Sequence, residues 1–148
     1  MTRVKVCGIT NIEDARVAVE AGADALGFIF VERTPRYVAP DAAAHIIGGL
    51  PPFVTPVGVF WDHRPGHVKA VAEQCGLGAL QFHGDETPED LQEYRLPVIK
   101  TLKVAAAADL ARMAGYRVSA FLLDSPTEVH EVRLRPLPGT KLLVLFGD

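Results

Sequence analysis

Cysteine is scarce. Cys7 and Cys75 are the two thiols in 148 residues, too few for a disulfide framework or, by themselves, a structural zinc site. They suit a reducing compartment, so cytoplasm is the expected location. Long apolar runs are also lacking. Those present are about strand length, so no membrane span is expected, and no apolar stretch follows Arg3 and Lys5 to make a signal peptide. Positive charge is not in excess: 15 Lys and Arg against 18 Asp and Glu leave a net charge of −3. With no basic stripe, a nucleic-acid partner is not expected. Linkers and low-complexity tracts are missing too, so residues 1–148 read as a single domain of ordinary globular composition, 49% hydrophobic and 22% charged.

What is present is a repeated alternation of short apolar runs with helical patterns. The runs are "RVKVCGI", "ALGFIFV", "PVGVFW", "ALQFHG", "PVIKTLKV" and "AFLLDS". Between them, Thr10 with Glu13 forms a capping box for a first helix, which Gly22 ends in a left-handed turn. Pro40 opens a second helix, and "HVKAVAEQCGLG" is a third. Thr87 and Pro88 mark a fourth as cap and first residue, and "AAAADLARMAGY" is a fifth. Each crossover is long enough to join parallel strands. The fold class is therefore α/β with a parallel sheet, and periodicity does not choose between an open doubly wound sheet and a barrel. After Ser125 the pattern breaks. In the tail, 126–148, "EVRLR" alternates like a strand and "KLLVLFGD" reads as a seventh strand with no helix before it.

In parallel α/β folds functional groups gather at the carboxyl ends of the strands. Those ends carry Cys7, Arg33 and Arg36, Trp61 and Asp62, His83, and Asp124. Each has a plainer use: Cys7 as packing, Asp124 as a helix cap, Arg36 as a solvated loop charge, His83 bonding its own loop. Cys75, inside a helix, reads as packing. His63 and His67 are four apart, but Pro65 lies between them and delays the helix, so no metal site is expected.

The segments "KVCGIT", "DARVAVEAGADALGFIF", "TPRYVAP", "VGVF", "QFHGDE", "VIKTLKV" and "FLLDS" together resemble the phosphoribosylanthranilate isomerase family, in order from about residue 3 to about residue 125. The resemblance implies a (β/α)8 TIM-barrel fold, here as about six βα units, and an Amadori rearrangement of N-(5'-phosphoribosyl)anthranilate in tryptophan biosynthesis. It implies Cys7 as general base, Asp124 as general acid, Arg36 on the anthranilate carboxylate and His83 as a pocket residue. It implies a small phosphosugar-anthranilate substrate, no cofactor, and a monomer or homodimer. The residue types suit the roles. An aspartic acid can protonate a ring oxygen, a thiolate can take a carbon-bound proton, and arginine grips a carboxylate with two parallel hydrogen bonds.

The resemblance stops after about residue 127. The glycine-rich phosphate loops expected of the family have no counterpart in "PTEVHEVRLRPLPGTKLLVLFGD", and such barrels run to about 200 residues or more. The sequence is therefore expected to be C-terminally incomplete or frameshifted, with strands one and six as open edges, weak substrate binding and little activity. Two other readings stand beside this one. The first is a catalytically inactive barrel fragment or edge-binding α/β module. The second is a different phosphosugar barrel, which would want a lysine acid or metal-binding histidines at strand ends; Lys100 and Lys103 lie in strand five, without evident partners.

Overall fold

The computed structural model describes residues 2–125 and 142–143. Its strands are β1 (Lys5–Cys7), β2 (Ala25–Ile29), β3 (Thr55–Phe60), β4 (Ala79–Phe82), β5 (Val98–Lys103), β6 (Ala120–Asp124) and β7 (Leu142–Leu143). The α-helices are α1 (Ile12–Glu20), α2 (Pro40–Gly48) and α3 (Pro65–Cys75), and a 3₁₀ helix covers Ala107–Gly115. All seven strands are parallel and lie in chain order from β1 to β7. A doubly wound sheet reverses its strand order at a switch point, and this one does not. The arrangement is the successive βα progression of a barrel wall.

The wall has two faces, set by the period-2 alternation of side chains. Leu26, Phe28, Phe60, Leu80, Phe82 and Val98 point to the helices. They pack with Ala15, Ala18, Ala43, Ile46, Val68, Val71 and Cys75 in one buried cluster. The opposite face is more polar. Register pairs Cys7 with Gly27, Gly27 with Val57, Val59 with Gln81, and Lys103 with Asp124. Gln81 Nε2 donates to Thr101 Oγ1 across this face (3.3 Å).

Local chemistry departs from the sequence reading at several points. Asn11, not Thr10, caps α1: its side-chain oxygen accepts from the Asp14 N–H at 2.8 Å, as asparagine at an N-cap does. Gly22 does end that helix, at φ +92°. The helix expected after Thr87 is absent. Thr87 and Asp90 exchange the expected cap bonds (Thr87 N–H to Asp90 Oδ2, 2.8 Å), but the chain continues as turns. The chain from Pro88 to Pro97 instead reaches β5 in turns that bury Leu91. The "AAAADLARMAGY" segment is 3₁₀ rather than α, and none of its helical residues is buried. No packed apolar face imposes the 3.6-residue period there. The edge of β6 is not open: Phe121 and Leu122 pair with Leu142 and Leu143. Among the described residues β1 pairs only with β2. Apart from Leu142–Leu143, the tail expected at 126–148, including "EVRLR", lies outside the described residues.

In place of the missing helix, a buried ion pair holds the β4–β5 connection. Lys100 is 2% exposed and Glu86 7%. The ammonium donates to Glu86 Oε2 (2.7 Å) and to the Gly84 carbonyl (2.6 Å). Glu86 Oε1 accepts the Asp62 N–H (2.8 Å), and its backbone carbonyl accepts the Tyr116 hydroxyl (3.0 Å). Removing one partner leaves the other buried and uncompensated. Lys100→Met is expected to cost about 3–5 kcal/mol in urea unfolding. Lys100→Met combined with Glu86→Leu is expected to recover most of that loss. Equal losses in the single and double variants would show that the pair does not act as a unit.

Candidate active site

The carboxyl ends of the strands form one rim, and the expected residues fall on it as two pairs. The first is Cys7 with Arg36. Gly8, directly after β1, takes φ +85°. Its N–H and that of Ile9 both donate to the Gly27 carbonyl at 3.0 Å, which fixes the turn beneath Cys7. A Cβ on Gly8 would lie 2.6 Å from Arg36 Cδ, so glycine is required by both the dihedral and the approach of the arginine. The loop that delivers Arg36 is tied down locally. Thr34 Oγ1 donates to the Val31 carbonyl (2.9 Å), Tyr37 N–H to the Thr34 carbonyl (3.2 Å), and Val38 N–H to the Ile29 carbonyl (3.0 Å).

The second pair is His83 with Asp124. His83 Nε2 is 3.5 Å from Asp124 Oδ2, with the two side chains 26% and 39% exposed. His83 thus faces the end of β6 instead of bonding its own loop. Its backbone N–H donates to the Phe60 carbonyl (2.9 Å). The ring of Trp61 lies 5.3 Å from the His83 ring, with the Arg33 guanidinium 4.7 Å and the Lys103 ammonium 5.7 Å from its centroid. These cations gather on the indole through cation–π attraction. Asp62 adopts φ +52°, a conformation aspartate tolerates better than most residues. Its N–H reaches Glu86, and its Oδ1 accepts the Asp85 N–H (2.7 Å). The loops after β3 and β4 are thereby locked together under Trp61 and His83. No hydrogen bond or ion pair among the described residues joins Cys7 or Arg36 to Asp124.

Other candidates separate from the rim. Cys75 Sγ contacts the Pro40 carbonyl at 3.3 Å in the core, where burial pushes its thiol up. Lys100, considered above as a lysine acid, points to the helix side and is committed to Glu86. The rings of His63 and His67 stack at 5.1 Å, and His63 Nδ1 accepts the backbone N–H of Trp61 (3.1 Å). Among the described residues no three His, Cys, Asp or Glu side chains come together to hold a metal, and no helix is long and apolar enough to cross a membrane. The sequence reading missed Lys5. It is buried on the same face as Cys7, as the spacing of two along a strand signals.

Burial pushes the His83 imidazole below its ordinary 6.5. Asp124 opposes this, Lys103 and Lys100 add to it, and Glu86 opposes it more weakly. The ring is therefore neutral at neutral pH, and its contact with Asp124 is dipolar, not an ion pair. An unfolded chain takes up this proton first, so the contribution to stability is full above about pH 6.5 and is lost as pH falls through the folded value. His83→Gln is expected to flatten the loss of urea stability on acidification from about pH 7 to about pH 5. The share due to His63, also pushed down chiefly by burial, remains. An unchanged slope in the variant would contradict the neutral assignment.

Comparison with known proteins gives a consistent picture. The model of the N-(5'-phosphoribosyl)anthranilate (PRA) isomerase family matches residues 4–129. The N-(5'-phosphoribosyl)anthranilate isomerase of Citrifermentans bemidjiense is 53% identical over 125 residues, which cover 84% of this chain and 61% of that protein. The crystal structure of phosphoribosyl anthranilate isomerase from Thermotoga maritima superposes with a TM-score of 0.83 at 45% identity, covering 86% of this chain and 63% of that one. A phosphoribosyl anthranilate isomerase in complex with reduced 1-(o-carboxyphenylamino)-1-deoxyribulose 5-phosphate superposes with a TM-score of 0.82 at 44% identity, covering 86% and 66%. The chain thus spans about three-fifths of the length of the curated relatives it matches (61% in the first).

Proposed function

The chain belongs to the PRA isomerase family, and we propose that its rim carries the anthranilate-binding and proton-transfer groups of that isomerisation. The observation that supports this most directly is Arg36 folded over Gly8 beside Cys7, which sets a carboxylate anchor next to a base. Arg36 holds the anthranilate carboxylate through a charge-assisted, two-pronged hydrogen bond. Asp124 gives its proton to the furanose oxygen as the C1–O bond breaks, and the nitrogen lone pair forms the C=N bond. Cys7 then takes the proton from C2. Those electrons form the C1=C2 bond and neutralise the nitrogen. The enol so formed loses its hydroxyl proton and gains one at C1, giving the aminoketose. Asp124 and Cys7 end with one proton lost and one gained, so the net change is an isomerisation. His83, whose Nε2 lies 3.5 Å from Asp124 Oδ2, positions Asp124. None of the described residues is assigned to the phosphate.

The same reading applies to a single protomer and to each half of a homodimer, with a small phosphosugar-anthranilate as the partner. It uses no cofactor. Two free cysteines, Cys7 and Cys75, support a reducing cytoplasmic location.

Calorimetric titration of the 148-residue chain with reduced 1-(o-carboxyphenylamino)-1-deoxyribulose 5-phosphate tests the reading. Loss of a charge-assisted pair costs about 1.5–3 kcal/mol, so Arg36→Met is expected to weaken binding at least about tenfold. Cys7→Ser and Asp124→Asn are expected to retain binding and lose turnover of whatever activity the parent chain shows. A parent chain that does not bind, or an Arg36→Met variant that binds as tightly as the parent, would overturn it.

A further inference from the structure

Lys5 stands two residues before Cys7 on β1, so the two side chains share one face. Lys5 is 5% exposed, and its Nζ has no hydrogen-bond partner among the described residues. A buried ammonium is costly unless it meets an opposite charge. The backbone of β2 shows where the ammonium points. A Cβ placed on Gly27 would fall 2.6 Å from Cys7 Sγ and 3.0 Å from Lys5 Nζ. Both heads therefore rest against the same spot, in the space that a side chain at Gly27 would fill. No carboxylate among the described residues pairs with Lys5, while the sulfur beside it becomes an anion on losing its proton.

We infer that Lys5 is a positioning residue for the isomerisation: its buried ammonium holds negative charge on the Cys7 sulfur and so keeps that sulfur ready as the base. The inference rests on the proposed role of Cys7. It gives Gly27 a purpose as well, since any larger residue there would push the ammonium and the sulfur out of their shared space. Arg36, packed against Gly8, adds a second cation to the neighbourhood. In the reading above it is occupied by the substrate carboxylate, whereas Lys5 is buried beneath the rim. The geometry thus divides two cations between two anions, one on the substrate and one on the protein.

Two alkylating reagents of nearly equal size test this without substrate. Iodoacetamide is neutral and iodoacetate is an anion. Peptide mapping of the alkylated 148-residue chain separates Cys7 from the buried Cys75. At neutral pH the rate at Cys7 with iodoacetamide is expected to fall severalfold in Lys5→Met, because the sulfur loses the cation that faces it, and to recover most of that in Lys5→Arg. The ratio of iodoacetate to iodoacetamide rates is expected to fall severalfold in Lys5→Met. A role in packing alone would alter access to both reagents alike and leave that ratio fixed. If Lys5→Met does not fold, the ratio is measured in Arg36→Met, where Lys5 is the cation left beside the sulfur. It should then exceed, at low ionic strength, the ratio of an isolated KVCGIT peptide. A ratio unchanged in folded Lys5→Met, or equal to the peptide's in Arg36→Met, overturns the assignment of Lys5. Absent binding of the reduced product analogue, by contrast, overturns the isomerase reading.

Discussion

The rim depends on the buried pair of Lys100 and Glu86. Two charges removed from water are worth little as net stability, and an apolar pair of similar volume often does as well. What this pair supplies is direction. Through Glu86 and the Gly84 carbonyl it ties β5 to the loop after β4. Through the Asp62 N–H it ties that loop to the one after β3. Tyr116 adds a bond from the approach to β6. Three successive connections, β3–β4, β4–β5 and β5–β6, are thus tied to Glu86 through its carboxylate and its backbone carbonyl. His83 and Trp61 stand on the two loops held most tightly. A packed helix would ordinarily brace such a crossover from outside. Here the segment after Thr87 is only a series of turns, and the electrostatic anchor works from within.

Much of the architecture was legible in the sequence because strands buried on both faces are nearly continuous apolar runs. "ALGFIFV", "PVGVFW" and "ALQFHG" could hardly be anything else. The choice between barrel wall and doubly wound sheet was not legible, because strand order is a long-range property that no local pattern encodes. Two helix expectations failed although both the Thr87 cap and the alanine-rich run carry local helix signals. The alanine-rich run buries none of its helical residues, whereas the segment after Thr87 delivers Leu91 to the core from a series of turns. Local preference gives way where tertiary packing does not support it. Among the candidate site residues, Cys7, Arg36, His83 and Asp124 could be picked out by their places at strand ends or in the loops that follow them. The burial of Lys5 and Lys100 could not. A lysine in a strand reads as a solvated charge until neighbouring strands bury it, and the partners that decide its state, Gly27 and Glu86, are distant in sequence.

The two faces of the wall divide the labour between stability and chemistry. The helix side is a continuous layer of Phe28, Phe60 and Phe82 with small helix residues pressed against it. The opposite side tolerates Lys5, Gln81 and Thr101 in burial, with Lys5 Nζ and Gln81 Oε1 lacking hydrogen-bond partners among the described residues. Unsatisfied polar atoms weaken a fold, and their confinement to the face that carries Cys7 and Asp124 fits a site where stability yields to function.

Trp61 is the one tryptophan of the chain, and it stands in the midst of the rim, its ring tilted against that of His83 and approached by Arg33 and Lys103. The protein is therefore equipped with its own optical probe. Indole emission is sensitive to nearby charge and to aromatic neighbours, so the tryptophan fluorescence of this chain, excited apart from its three tyrosines, reports on the rim. Occupancy, protonation and loop displacement at that edge can be followed in real time without attaching a label.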